Sequence, residues 1–291
     1  MEPLRYLHLD VFAATRGGGN HLGVVTDARG WSTEQMQRFA RWTALVETTF
    51  LLPPRDPRAS YRVRIFTPQR EIPFAGHPSI GSAHAVLACG LAEPVDGLLW
   101  QECDAGVLPI RVEGEDGARD LLLKSPGERV LATGQDAHPL LAATLAGVPM
   151  GALPPALVDG GRRWWLAEVA DEASLRQWLP DHSAIGALAR ASDSMGLCAF
   201  ARSAEAADRL VVRAFPAGVG IVEDPASGAA NGLIAAYIAQ AEPEGPLARG
   251  YTVSQGREIG HDARLLVRIG PDGTWVGGRT HTIVDGRLQW M

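Results

Sequence analysis

Two short stretches decide the fold: Pro78-Ser79-Ile80-Gly81-Ser82-Ala83 and Pro225-Ala226-Ser227-Gly228-Ala229-Ala230. Both read P-x-x-G-x-A, both follow a Gly/Pro-rich turn, and both open an apolar, alanine-rich helix. They lie about half the chain apart, as an internal duplication requires. The small surfaces of these helices, with Ser82, Ala83, Ala85 and Ala88 in one and Ala229, Ala230, Ala235 and Ala236 in the other, suit helices buried inside a barrel-like sheet. A helix start presents unpaired N–H groups at the positive end of the helix dipole and holds carboxylate or phosphate without a cationic side chain. Two such starts facing one cleft would grip a small anion from both sides.

Outward from these stretches the pattern is mostly short strands. Tyr6–Phe12, Leu22–Val25, Thr48–Leu52 and Tyr61–Phe66 read as strands, the last burying Tyr61, Val63 and Ile65 against outward Arg62 and Arg64. Ser32-Thr33-Glu34-Gln35 is a capping box that starts a helix running to about Ala44, with Met36, Phe39, Ala40 and Thr43 on its buried side. The two repeat helices are expected over Ile80–Cys89 and Ala229–Ala239, and other helices near 139–146, 172–179 and 184–191. Further strands are expected at Gly196–Ala201, Leu210–Phe215, Leu265–Ile269, Thr274–Val276, Thr282–Val284 and Leu288–Trp290. A cluster of Gly114, Asp116 and Gly117 places a boundary near Glu115–Arg119, giving halves of 1–117 and 118–279.

Composition narrows the function classes. The 291 residues are 46% hydrophobic and 21% charged, enough for one large or two medium cores. A net charge of -6 and the lack of a Lys/Arg cluster argue against a nucleic-acid partner. No apolar run is long enough to span a bilayer, and the N-terminus lacks the pattern of a secretory signal, so no membrane partner and a cytoplasmic location are expected. Cys89, Cys103 and Cys198 are scattered and odd in number, which disfavours a disulfide framework. The histidines lack compact ligand spacing, so a metal is not expected. Gly17–Gly23 matches neither G-x-G-x-x-G nor a P-loop, and His77-Pro78-Ser79-Ile80-Gly81 only approaches a nucleophile elbow.

Three residues could carry chemistry. Glu47 lies between a helix and an apolar strand, where desolvation would raise a carboxyl pKa toward neutrality. His77 lies in the first turn and could shuttle protons or bind a carboxylate. Asp224 lies in the second turn, where Asp before Pro is ordinarily a turn-former.

Phe66-Thr67-Pro68 with Glu71-Ile72-Pro73-Phe74-Ala75-Gly76-His77-Pro78, and Glu223-Asp224-Pro225-Ala226-Ser227-Gly228-Ala229, resemble the signatures of the PhzF family. Asp10-Val11-Phe12 with the Gly19-Asn20 loop, Glu47-Thr48-Thr49-Phe50, and Ser254-Gln255-Gly256 with Glu258-Ile259-Gly260 fit the same family in order along the whole chain. The resemblance implies an α+β, diaminopimelate-epimerase-like fold: two pseudo-symmetric halves, each a barrel-like, mostly antiparallel sheet around a central helix. A C-terminal strand, about 280–291, would return to the first half, and the active site would lie between the halves.

The same resemblance implies a cofactor-independent isomerase relocating a proton in a small cyclic carboxylate, and a homodimer. Glu47 would be the acid/base, with His77 and Asp224 also in the catalytic set. Asn20, Gly76, Ser79, Ser227, Gly228 and Ala229 would bind substrate. An amino-acid racemase or epimerase, or a non-catalytic small-anion binding protein, are the alternatives. Ala229 stands where some members have Ser, and His21 where the family usually has Pro. Neither turn contains Cys, so a two-thiol mechanism has no groups to run on.

Overall fold

In the computed structural model the described residues are 4–115, 117–206 and 209–290. Asp116 of the expected boundary cluster and residues 1–3 of the N-terminus therefore lie outside them. The chain forms two compact units, one of Met1–Lys124 with Gly277–Met291, the other of Ser125–Val276.

The first unit contains β1 (Leu4–Val11), β2 (Asn20–Val25), α1 (Thr33–Thr43), β3 (Thr48–Leu52), β4 (Tyr61–Phe66), β5 (Glu71–Ile72), α2 (Gly76–Ala88), β6 (Leu98–Cys103), β7 (Gly106–Glu113) and β8 (Asp120–Lys124). The strands run in the order β1-β2-β3-β4-β6-β7-β8, and next to β8 comes the final strand of the chain, Gly273–Leu288. That strand also pairs antiparallel with β1, from Leu4↔Leu288 to Val11↔Thr280, and so closes an eight-strand barrel. The pairing of β8 with β7 keeps residues 120–124 in this unit, so the units divide at Lys124.

α2 packs against β1, β2, β3, β4, β6 and β8, which enclose it. Its side chains are buried around nearly the whole circumference, including Ser79, Ser82, Ala83 and Ala85. A Cβ on Gly81 would stand 2.4 Å from Leu22 and 3.0 Å from Val11. The small surface of this helix is thus a steric requirement of its neighbours on β1 and β2.

α1 lies outside the barrel. Ser32 Oγ accepts from the Gln35 N–H while Gln35 Oε1 accepts from the Ser32 N–H, closing the capping box. Met36, Phe39 and Ala40 pack on Val25, Phe50 and Phe66, whereas Thr43 is only half-buried.

The second unit contains β9 (Arg129–Thr133), α3 (Leu141–Thr144), β10 (Ala156–Asp159), β11 (Arg163–Glu168), α4 (Glu172–Gln177), α5 (His182–Ser192), β12 (Leu197–Arg202), β13 (Arg209–Phe215), α6 (Gly228–Ala241), β14 (Gly250–Gln255), β15 (Ala263–Gly270) and the start of β16, the final strand already described. Their order is β16-β15-β14-β13-β12-β11-β10-β9. α6 packs on β10, β11 and β15 and is buried along most of its length, with Asn231 as its buried polar residue. α3, α4 and α5 complete a second cluster with Trp165, Leu197 and Phe215.

Several expectations change. The three short strands expected between Thr274 and Trp290 are one 16-residue strand; Gly277, Gly278 and Gly286, which read as breaks, lie within it. The helix near 139–146 is only the four residues of α3. α2 begins at Gly76 rather than Ile80, because Pro78 occupies the third helical position, where its missing N–H costs nothing. Counted from the helix starts, Ala75-Gly76-His77 corresponds with Ser227-Gly228-Ala229. Pro78 is inside its helix and Pro225 before its own, so the sequence match of the two P-x-x-G-x-A stretches is out of register although the paired helices are real.

A Cβ on Gly277 would meet the Leu121 carbonyl oxygen at 1.8 Å and Leu122 Cα at 2.5 Å, contacts with backbone that a rotamer change does not relieve. Gly286 of the same strand has open space at that position. Gly277→Ala should therefore lower stability by about 2 kcal/mol or more, and Gly286→Ala should leave it nearly unchanged. Urea unfolding of the two variants against the parent chain checks this, and equal midpoints for both would contradict the close approach.

Candidate active site

In the first unit the left-handed residue Ala44 (φ 54°) ends α1 and turns the chain into β3 through Glu47. The Glu47 carboxylate is 13% exposed, and its Oε2 lies 3.6 Å from Nε2 of His77, in the first turn of α2. The same nitrogen lies 3.3 Å from the His21 carbonyl oxygen. A carbonyl only accepts, so this contact assigns the proton to Nε2. Burial pushes the His77 pKa down to about 4, outweighing the carbonyl's pull upward. The imidazole is therefore neutral at pH 7, and its approach to Glu47 is that of an N–H dipole to a carboxylate, not an ion pair.

Supporting contacts hold these two groups together. Ser82 Oγ of α2 donates to Thr49 Oγ1 of β3 at 3.0 Å, tying the helix that carries His77 to the strand that follows Glu47. Thr43 and Thr48 hydroxyls meet at 2.9 Å on either side of the Glu47 turn. Asp10 accepts from the N–H groups of Gly17 (2.6 Å) and Gly19 (2.8 Å), shaping the loop before Asn20. A Cβ on Gly19 would strike the Val11 carbonyl oxygen at 2.2 Å, so that loop needs glycine. Asn20 is buried at the head of β2. The side chain of the next residue, His21, is exposed and meets His8 at 3.3 Å.

At the start of α2, Gly76 and His77 N–H groups have no partner within the helix by position. Pro78 has no N–H. The Ser79 N–H bonds to the Ala75 carbonyl, its hydroxyl donates to the same oxygen at 2.9 Å, and that hydroxyl accepts from Gln101 Nε2 at 2.9 Å. Ser79 thus braces the turn from inside. An anion at this end of α2 would meet Gly76 and His77.

The second unit repeats the device with different parts. Asp224 follows the buried pair of Arg213 and Glu223, joined at 2.8 and 2.9 Å. The Asp224 carboxylate accepts from the Ala226 N–H at 3.1 Å, and its backbone bridges to Ala214. Gln255 clamps the turn: its Nε2 donates to the Asp224 carbonyl, and its Oε1 accepts from Asn231 Nδ2 at 3.0 Å and from the Ser227 N–H at 3.4 Å. Ser227 is the N-cap of α6 and accepts from the Ala230 N–H. Gly228 and the exposed Ala229 supply the first two helical N–H groups.

Sequence reading missed the braces. Thr49, Ser82, Gln101, Asn231 and Gln255 are all buried and polar. The available signal was polar residues in otherwise apolar segments, such as Ser82 and Asn231 in alanine-rich helices. Among the described residues no group of three or more His, Cys, Asp and Glu is placed to hold a metal ion, and no helix is long and apolar enough to cross a membrane.

The profile of the phenazine biosynthesis-like (PhzC-PhzF) family matches residues 9–286. The chain is 31% identical to antisense-enhancing sequence 1 of Schizosaccharomyces pombe, over 97% of each chain. It is 32% identical to the trans-2,3-dihydro-3-hydroxyanthranilate isomerase of Pseudomonas aeruginosa, over 91% of this chain and 90% of the relative. The crystal structure of a Bacillus anthracis PhzF-family protein superposes with a TM-score of 0.81 at 24% identity, covering 99% of this chain and all of that one. The fold class is the diaminopimelate-epimerase-like α+β architecture, a sheet around a central helix in each half. Within that class the chain belongs to the phenazine biosynthesis-like family, and it is an isomerase.

Burial also pushes the pKa of His84, on α2, down to about 4. Both histidines regain an ordinary pKa of about 6.5 on unfolding, so the folded state binds fewer protons below that pH. Their contribution is intact above pH 6.5 and is lost as pH falls toward 4, by about 1.4 kcal/mol per unit for each group. Urea midpoints should drop between pH 7 and 5.5, and less so in His77→Gln/His84→Gln. An equal drop in both proteins would contradict neutral burial.

Proposed function

We propose that the enzyme is a cofactor-independent isomerase that relocates a proton within a small cyclic carboxylic acid, using Glu47 as acid/base. The observation that carries this reading is the largely buried Glu47 carboxylate 3.6 Å from a neutral His77 at an open helix start. A carboxylate shielded from water, with an N–H donor beside it, is poised to take a carbon-bound proton and give it back. The substrate carboxylate would be held by the open N–H groups of helix starts, those of Gly76 and His77 and of Gly228 and Ala229. Asn20, Ser79 and Ser227 would shape that site.

His77 cannot serve as a strong proton donor while its imidazole is neutral and Nε2 is turned toward a carbonyl. Its role in this reading is to orient Glu47 and the bound anion. Asp224 would act on the opposite side of the substrate, so that a proton removed by one carboxyl group is replaced with help from the other. Return to a different carbon is isomerisation. This outcome is favoured by the relatives named for trans-2,3-dihydro-3-hydroxyanthranilate, a cyclic amino- and hydroxy-substituted acid.

Glu47→Gln keeps shape but cannot accept the proton, so kcat should fall by roughly 10²–10⁴-fold with little change in substrate affinity. Asp224→Asn should lower kcat and also weaken binding, and the double variant should be far from additive because both groups serve one sequence. Trans-2,3-dihydro-3-hydroxyanthranilate and related cyclic acids in deuterium oxide are the substrates to screen, with product identity and carbon-bound deuterium as readouts. A folded Glu47→Gln enzyme with near-normal turnover would falsify the assignment.

A further inference from the structure

The alternation that buries Tyr61, Val63 and Ile65 inside the first barrel turns Arg62 and Arg64 outward. There, Arg55, Arg62 and Arg64 line a pocket of about 430 Å³ together with Trp31, Leu52 and Pro54. No acidic side chain is among its described lining residues. Arg29 at its edge is committed to Asp27, and Arg64 to Glu71 through bonds of 2.7 and 2.6 Å.

Arg55 and Arg62 are different. Among the described residues neither guanidinium has a side-chain hydrogen bond or ion pair, and Arg62 Nε is shut off from solvent without a partner. The nearest acids, Glu102 and Asp104, line an adjoining pocket with the same arginines. Glu102 already accepts from the backbone N–H groups of Arg55 and Asp56, at 2.6 and 3.1 Å. Burial, with the like charges of Arg55 and Arg64, pushes the Arg62 pKa down, against the upward pull of Glu102 and Asp104. A buried donor without an acceptor is costly unless a ligand supplies the missing oxygen.

The geometry points to a binding site for an organic phosphate with a planar, apolar body, its phosphate held by Arg55 and Arg62 and its ring against Trp31, Leu52 and Pro54. A phosphate monoester carries about −1.5 to −2 at pH 7, and its oxygens suit the guanidinium forks of Arg55 and Arg62. The pocket lies at the Leu52↔Arg62 end of the β3–β4 pair, whereas Glu47 precedes the Thr48↔Phe66 end. The two are separated by the length of β3, about 16 Å, so the pocket is not part of the proposed catalytic site.

Calorimetric titration of the full chain with AMP, adenosine and inorganic phosphate tests the assignment. AMP should bind saturably and more tightly than adenosine or phosphate alone. Arg62→Gln and Arg55→Glu should each weaken AMP at least about tenfold. Arg55 is exposed, so its variant keeps the fold even if Arg62→Gln does not, and kcat of a folded variant should be unchanged. Wild-type affinity for AMP in Arg55→Glu, or no saturable binding below about 1 mM, would overturn the proposal.

Discussion

The structure depends on one constraint: a helix occupies the inside of an eight-strand barrel. A barrel of this strand number ordinarily has room only for side chains. α2 therefore has to present Gly, Ala and Ser to its surroundings, and Gly81 leaves no space even for a methyl group beside Leu22. Enclosure also forbids unpaired polar groups. Ser82 answers to Thr49 and Ser79 to Gln101, and these bonds set where the helix begins relative to β3. The place of His77 beside Glu47 follows from that packing.

The same enclosure sets the electrostatics. An imidazole inside the barrel is not charged at neutral pH. Its N–H is directed by the His21 carbonyl. The residue at position 21, which departs from the usual family pattern, contributes through its backbone, while its side chain turns to His8. In the second unit, where α6 is likewise buried along most of its length, the turn at Asp224 is held by the amide groups of Gln255 and Asn231. The two units thus present helix starts of the same kind, each braced by buried hydroxyl and carboxamide side chains.

The capping box of α1, the strand alternation of β4 and the two small-residue helices were legible in the sequence because each depends on neighbours a few residues away. Glu47, His77 and Asp224 were candidates through motifs in their family order, and the structure brings Glu47 and His77 within 3.6 Å of each other. The start of α2 was misplaced because Pro78 reads as a breaker, although proline is tolerated in a first helical turn. The final strand was split into three because glycine weakens a strand locally, while its pairing with β1 and with β8 is made by residues distant along the chain.

The sequence by itself determined the class of fold and the family, and it singled out Glu47, His77 and Asp224 as candidates, since composition, periodicity and motif are properties of the chain. Tertiary structure alone decided that His77 is neutral and turns its Nε2–H to the His21 carbonyl, with Glu47 Oε2 3.6 Å away. It likewise turned the Ser79 hydroxyl inward and left the Arg62 Nε buried without a hydrogen-bond partner. Each of these depends on desolvation and on distances between strands that only the closed barrel brings together, and no local pattern in the chain encodes them.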